Sequence, residues 1–213
     1  VLPIFKVGDD LRQDIFVLQL LRVFDLIWKE DEKLDLKMNP YFVAATGECA
    51  GLIEVVRDSR TLADIHREWG GARGAFNERC VSQWLDREYQ STNQEYGEVL
   101  DNFVRSLAAY SVSTYVLGIG DRHNDNVMIT RTGKVFHIDF AYFMGNFLRF
   151  AGIQRETSPF LLPPEFMYVL GGPTGKAYQQ FVKYAHRAYL ALRRRAEQLL
   201  TMFSLMMSIG LPQ

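Results

Sequence analysis

The run Gly118-Ile119-Gly120-Asp121-Arg122-His123-Asn124-Asp125-Asn126-Val127-Met128-Ile129, followed closely by Val135-Phe136-His137-Ile138-Asp139-Phe140, constrains this chain more than any other stretch. An apolar segment stops at two glycines, and a cluster of acid, base and amide side chains follows. Asn126–Thr130 reads as a short strand, Arg131-Thr132-Gly133-Lys134 as a tight turn, and Val135–Phe140 as a second strand. Such a hairpin holds Asp121 and Asn126 on one side and Asp139 on the other. An acid beside a nucleophile and oxygen ligands for a hard cation are what Mg-dependent phosphoryl transfer requires.

The rest of the chain supports a sizeable core. It has 213 residues, 48% of them hydrophobic, enough for one large domain or two lobes. A net charge of −1 gives no global field toward nucleic acid, so anion binding must come from local patches. Cys49 and Cys80 match no metal spacing and suit a reducing compartment. No leader opens the chain and no apolar run reaches membrane-spanning length. The start, Val1-Leu2-Pro3-Ile4-Phe5-Lys6, reads as mid-strand and so as part of a longer protein.

In order, the pattern predicts a strand over Leu2–Val7 and a helix over Leu11–Trp28. A charged loop at Glu30–Lys33 follows, then strands at Leu34–Met38, Tyr41–Ala45 and Gly51–Val56. Helices are expected over Thr61–Trp69, Phe76–Glu88 and Glu98–Leu117. After the hairpin, Ala141–Pro164 has little periodicity, and loops of that length inside compact domains are usually functional. Pro164–Leu170, Lys176–Arg193 and Arg194–Ile209 close the chain as helices. The fold class is α+β: a small strand-rich beginning, then a larger helical part with an embedded hairpin.

Each candidate residue has a plain reading beside the functional one. Asp121 alone would be a cap or turn residue, but within Asp-Arg-His-x-x-Asn a turn does not account for the set. Asp139 reads as a buried strand residue, and an unpaired carboxylate there is costly. It needs a structural cation or a metal, and nearby Asn126 favours metal. His123 is either structural or a base or phosphate-stabilising group. His137 reads as structural, and His66 and His186 as ordinary helix residues. Lys6 is a surface lysine or an ammonium aimed at a phosphate from a strand end.

Lys6-Val7-Gly8-Asp9-Asp10-Leu11-Arg12-Gln13-Asp14, Gly51-Leu52-Ile53-Glu54-Val55-Val56, the Gly118–Asn126 run and His137-Ile138-Asp139-Phe140 together resemble the phosphoinositide 3-kinase catalytic domain, in order and spacing along essentially the whole chain. The loop containing Gly145-Asn146, Phe150–Glu156 and Pro159-Phe160 resembles the class I (or class II) branch rather than class III. The resemblance implies a two-lobed, protein-kinase-like fold. Residues 1–56 would form a partial β-rich N-lobe and 57–213 a largely helical C-lobe. The C-lobe would carry the catalytic loop 118–126, the Asp-Phe-Ala metal motif 139–141 and the activation loop 139–164.

By the same resemblance, Lys6 contacts the ATP phosphates and Asp14 and Tyr41 belong to the inner ATP pocket. Glu54 and Val56 form the adenine-binding hinge, and Met128 and Ile138 wall the adenine site. Asp121 and His123 are the catalytic pair, Asn126 and Asp139 the ligands of Mg2+ (or Mn2+), and Arg149 and Arg155 the lipid head-group contacts. The implied reaction is ATP-dependent phosphorylation of the inositol 3-hydroxyl of phosphatidylinositol lipids. The implied setting is cytoplasmic, with peripheral recruitment to a membrane surface and a regulatory or adaptor subunit acting through further domains. No nucleic acid partner is implied. Competing readings are a 4-kinase or a related Ser/Thr protein kinase, and a catalytically silent nucleotide-binding scaffold.

Three departures carry expectations of their own. Ala141 replaces the glycine of Asp-Phe-Gly, and at positive φ it would cost roughly 1–2 kcal/mol and slow the enzyme. Gln154 and Thr157 stand where relatives using the bisphosphate lipid often carry Lys or Arg, which favours phosphatidylinositol or its monophosphate. The phosphate-binding loop before Leu2 and the membrane-contacting helix after Gln213 lie outside the chain, so this fragment alone is expected to be inactive and its parent active.

Overall fold

The fold is a computed structural model that describes residues 2–69, 77–90, 95–144, 149–150, 153–154 and 158–207. Strand β1 (Pro3–Val7) leads into helix α1 (Arg12–Glu32), then β2 (Val43–Gly47) and β3 (Ala50–Glu54). β4 (Ser59–Thr61), α2 (Leu62–Trp69), α3 (Cys80–Gln90) and α4 (Tyr96–Leu117) follow. β5 (Val127–Thr130), β6 (Val135–His137) and the two-residue strands β7 (Arg149–Phe150) and β8 (Ile153–Gln154) precede α5 (Pro164–Val169), α6 (Lys176–Arg194) and α7 (Ala196–Met207). Helices and small antiparallel sheets are thus mixed as expected.

β1, β3 and β2 form one sheet in that order, with Lys6 opposite Gly51. β4, β5 and β6 form a second, with Thr61 opposite Met128 and Met128 opposite Phe136. α4 is the core helix. Val99, Phe103, Leu107, Ala108 and Tyr110 are buried, and so are Asn102, Ser106 and Ser113, so burial goes round the whole helix. Its buried polar groups serve the β5–β6 hairpin: the Val135 amide donates to Ser106 Oγ (2.8 Å), and Asn102 Nδ2 donates to the Thr132 carbonyl (2.9 Å). Gly133, at φ 85°, lies against α4 so closely that a Cβ would strike the Val99 carbonyl. The turn therefore needs glycine for both conformation and space.

Four expectations about elements are corrected. α1 runs through the expected charged loop to Glu32, because Asp31 pairs with Arg195 (2.8 Å) and Glu32 with Arg194. Leu34–Met38 is not a strand. Leu34, Leu36 and Met38 are buried with period two, but Lys33 and Lys37 have φ of 51° and 55°, and the segment joins no sheet. β4 (Ser59–Thr61) forms where the sequence pattern predicts no strand, between the strand expected over Gly51–Val56 and the helix expected from Thr61. β6 ends at His137 rather than Phe140, since the carbonyls beyond it go to an arginine.

Candidate functional site

Helix α4 ends at Gly118 in the left-handed region (φ 56°), and the chain turns into the loop that carries Asp121, Arg122 and His123. The Gly120 amide donates to the Tyr142 carbonyl (2.9 Å), and the Met144 amide to the Leu117 carbonyl (2.8 Å). The loop and the segment after Asp139 thereby lie side by side. Arg122 ties them: Nε donates to the Gly120 carbonyl (2.8 Å), one terminal nitrogen to the Ile138 carbonyl (2.8 Å) and the other to the Asp139 carbonyl. Its guanidinium also lies 5.6 Å from the Phe140 ring centroid. The sequence reading assigned Arg122 no role. An arginine so deeply buried must spend its donors on fixed acceptors, and those acceptors bracket Asp139.

Asn126 is buried. Its Nδ2 lies 2.9 Å from the Asp121 carbonyl and 3.1 Å from His123 Nε2. With Nδ2 engaged on the loop, Oδ1 is the atom left to meet a cation. His123 Nε2 is 3.6 Å from Asp121 Oδ2, and Nδ1 accepts from the Asp125 amide at 3.2 Å. Asp121 and Asp139 both adopt left-handed backbone, at φ 58° and 59°. Asp139 is exposed rather than buried within a strand, which removes the argument that burial forces a partner on it. Its Oδ1 instead accepts from the Ala141 amide (3.4 Å). Positive φ falls on Asp139 and not on Ala141, so the expected conformational cost of the alanine does not arise.

A cleft of about 270 Å3 lies between the two sheets. Its walls include Lys6 of β1, Asp14 of α1, Tyr41, Glu54 of β3 and Val56, and on the facing side Asn126, Met128, Ile138 and Asp139. Asn126 and Phe136 are ten positions apart in the chain, yet the β5–β6 pairing, with the Ile138 amide donating to the Asn126 carbonyl, brings both to this wall. Tyr41 sets its ring edge-on to Phe136, with centroids 6.4 Å apart. Burial pushes the Tyr41 hydroxyl far above its ordinary pKa, so it stays protonated. Asp14 Oδ1 accepts from the Phe140 amide (3.2 Å), and burial raises its carboxyl pKa, with Asp139 adding to the rise. Lys6 Nζ is 2.7 Å from Asp9 Oδ2. That hydrogen bond is the chief reason its pKa is raised, with further support from Asp139 and Asp14.

Glu54 uses its side chain locally, Oε2 accepting from the Phe42 amide at 2.8 Å. The Val56 carbonyl accepts from Ser59 Oγ (2.7 Å), and both Glu54 and Val56 line the cleft. Arg149 lies on β7, described as backbone. Arg155, Gln154's side chain and Thr157 lie outside the described residues. His137 is fully buried 3.4 Å from Thr114 Oγ1, and burial lowers its pKa well below the usual histidine value, Arg122 adding to the effect. That fits the structural reading.

The donor set also bears on the metal expectation. Among the described residues no group of three His, Cys, Asp or Glu side chains could hold a metal by itself. The amide oxygen of Asn126 and the carboxylate of Asp139 supply two hard oxygen donors on one cleft wall. Mg2+ commonly takes one or two protein oxygens and completes its shell with phosphates and water. The residues fit such a cation when it arrives with a nucleotide.

A family model described as phosphatidylinositol 3- and 4-kinase matches residues 3–213. The chain belongs to that family. It is 46% identical over 211 residues to phosphatidylinositol 3-kinase 1 of Dictyostelium discoideum, 43% over 210 to phosphatidylinositol 3-kinase 2, and 48% over 210 to phosphatidylinositol 3-kinase 3. These alignments cover 99% of this chain but only 13%, 11% and 12% of the relatives. Among the described residues no helix is long and apolar enough to cross a membrane.

Proposed function

We propose that this chain is the greater part of a two-lobed lipid-kinase domain that transfers the γ-phosphoryl group of ATP to the inositol 3-hydroxyl of phosphatidylinositol lipids. The observation that carries the reading is that one cleft gathers the candidate residues. Nine residues with expected nucleotide or metal roles line it, and the Asp121–His123 pair adjoins it through Asn126. The family and the names of the relatives support the class of reaction.

In this reading the adenine lies between Met128 and Ile138 and bonds the main chain at Glu54 and Val56. Lys6 meets the phosphates, exchanging its contact with Asp9 for a phosphate oxygen. Asp14 and Tyr41 close the inner end. Mg2+ (or Mn2+), held by Asn126 and Asp139, would neutralise charge on the phosphate oxygens. The Asp121–His123 pair takes the proton of the 3-hydroxyl as its oxygen bonds to the γ-phosphorus and the bond to the ADP oxygen breaks. Arg122 contributes by fixing both ends of this apparatus to one guanidinium, which keeps the ligands organised before the substrate arrives.

Arg149 and Arg155 are assigned to the lipid head group, and the thin supply of basic residues in that part of the sequence favours phosphatidylinositol or its monophosphate over the bisphosphate. The parent protein works in the cytoplasm, recruited peripherally to a membrane surface by its further domains or an adaptor. Labelled ATP offered to the full-length parent with the three lipids tests this. Product labelled at the 3-position, abolished by Asp139→Asn, supports the reading; labelling at the 4-position or on protein overturns it. Clear preference for the bisphosphate would overturn the selectivity alone.

A further inference from the structure

Histidine 66 has no role in the reading above, yet it stands where the catalytic loop meets the rest of the helical part. α2 begins with Thr61 Oγ1 accepting from the Asp64 amide (3.0 Å). The next free amide, Ala63, donates to the Asn124 carbonyl (2.9 Å). One turn on, His66 Nδ1 lies 3.3 Å from Asn124 Nδ2, and Nε2 lies 2.8 Å from Glu165 Oε1. The carboxylate oxygen is off the N–H axis, so the latter is a close polar contact rather than a linear hydrogen bond. Side-chain exposures are 12% for His66 and 7% for Glu165. By contrast the neighbouring Arg67–Asp125 pair is 3.8 Å apart and mostly exposed, so screening leaves it little weight.

Glu165 lies in the first turn of α5, and its neighbour Phe166 is locked in the core edge-on to Phe103 (5.2 Å). With its proton on Nε2, the His66 ring turns its N–H edge toward the Glu165 carboxylate and accepts from the Asn124 amide at Nδ1. The buried Glu165 carboxylate thereby has a close polar contact, and the half-buried Asn124 amide an acceptor.

We infer that His66 is a positioning residue for phosphoryl transfer. It props Asn124, and with it the Asp121–Asn126 loop, against α5. The inference rests on the kinase reading for its effect on rate, but not for its effect on the loop.

The test uses the full-length parent with Asn124→Ala, His66→Ala, His66→Gln and the His66→Ala/Asn124→Ala double variant. Asn124→Ala leaves the His66–Glu165 contact whole and so answers even where His66→Ala, which strands Glu165, fails to fold. Expected is a kcat loss of about tenfold for Asn124→Ala and His66→Ala, with KM for ATP within about twofold, because only organisation of the loop is disturbed. The double variant loses no more than either single one, and His66→Gln, which keeps a donor and an acceptor, recovers most of the rate. Amide hydrogen exchange in 122–126 should quicken by about tenfold in Asn124→Ala and His66→Ala while α6 is unchanged. Additive rate losses, or loop exchange equal to wild type in Asn124→Ala, overturn the inference. A wild-type parent that phosphorylates no lipid overturns the kinase reading instead, and the exchange comparison then decides the positioning role by itself.

Discussion

Replacing Arg122 tests the clamp directly. The side chain is 8% exposed and donates to three carbonyls, those of Gly120, Ile138 and Asp139. Hydrogen bonds from a charged donor contribute about 1.5–3 kcal/mol each, a gross figure of roughly 4–9 kcal/mol for three by the same reckoning. Water reaches the neighbouring exposed Asp139 and Ala141 and can serve some of the freed carbonyls in the alanine variant. Arg122→Ala should therefore cost about 3 kcal/mol net, and Arg122→Lys, which places one ammonium among three acceptors, about 1–2 kcal/mol. In a domain of this size that is a fall of about 6–12 °C for alanine and 2–8 °C for lysine. The assay is thermal unfolding of the parent, following the transition that Mg-ATP shifts, since that transition belongs to the kinase domain. Turnover should fall at least about tenfold in Arg122→Lys, because Asp139 loses its main-chain anchor. Two variants that melt with wild type and turn over normally would refute the clamp.

Other outcomes follow from the same geometry. Ala141→Gly should leave turnover within about twofold of wild type, since the alanine is not at positive φ; a large gain in rate would restore the expected defect. Gly133→Ala should destabilise by about 2–4 kcal/mol through collision with the Val99 carbonyl and its φ of 85°, and a thermal shift under 2 °C would contradict it. Asp14→Asn should raise stability at neutral pH. The folded-state pKa of Asp14 is raised above its unfolded value by burial, so ionising it costs stability as pH rises through the folded pKa, and the advantage of asparagine should vanish below the unfolded value near 4. Denaturation of both proteins across pH 3.5 to 8 checks the sign, while nucleotide binding by the variant should weaken.

Much of the helical architecture was legible because apolar periodicity decides it. The long apolar stripe of α4 and the glycine-ended run that follows required little else. What could not be read was tertiary in origin. Leu34, Leu36 and Met38 alternate as strand residues do, and they are buried alternately, but period two reports which face is covered, not whether a ladder partner exists. The last turn of α1 looked like solvated loop because its acids find Arg194 and Arg195 more than 160 positions away. The site was legible as a list of residue types. Its joints were not: Arg122 binds main-chain carbonyls, which leave no mark in side-chain patterns, and His66 sits in an unremarkable helix. Asp139 was misplaced for a related reason, because an apolar run continues past the point where the hydrogen-bonded strand stops.

The left-handed backbone at Asp121 and Asp139 governs how either carboxylate can be removed without disturbing the chain around it. Asparagine and aspartate tolerate that conformation better than other residues with a Cβ. Asn at either position deletes the charge and leaves the main chain at ease. Valine or threonine there would add a backbone penalty of about 1–2 kcal/mol, so a lost activity would report a displaced loop as much as a missing carboxylate. For any test of the proposed activity, the asparagine forms are the ones that change a single property.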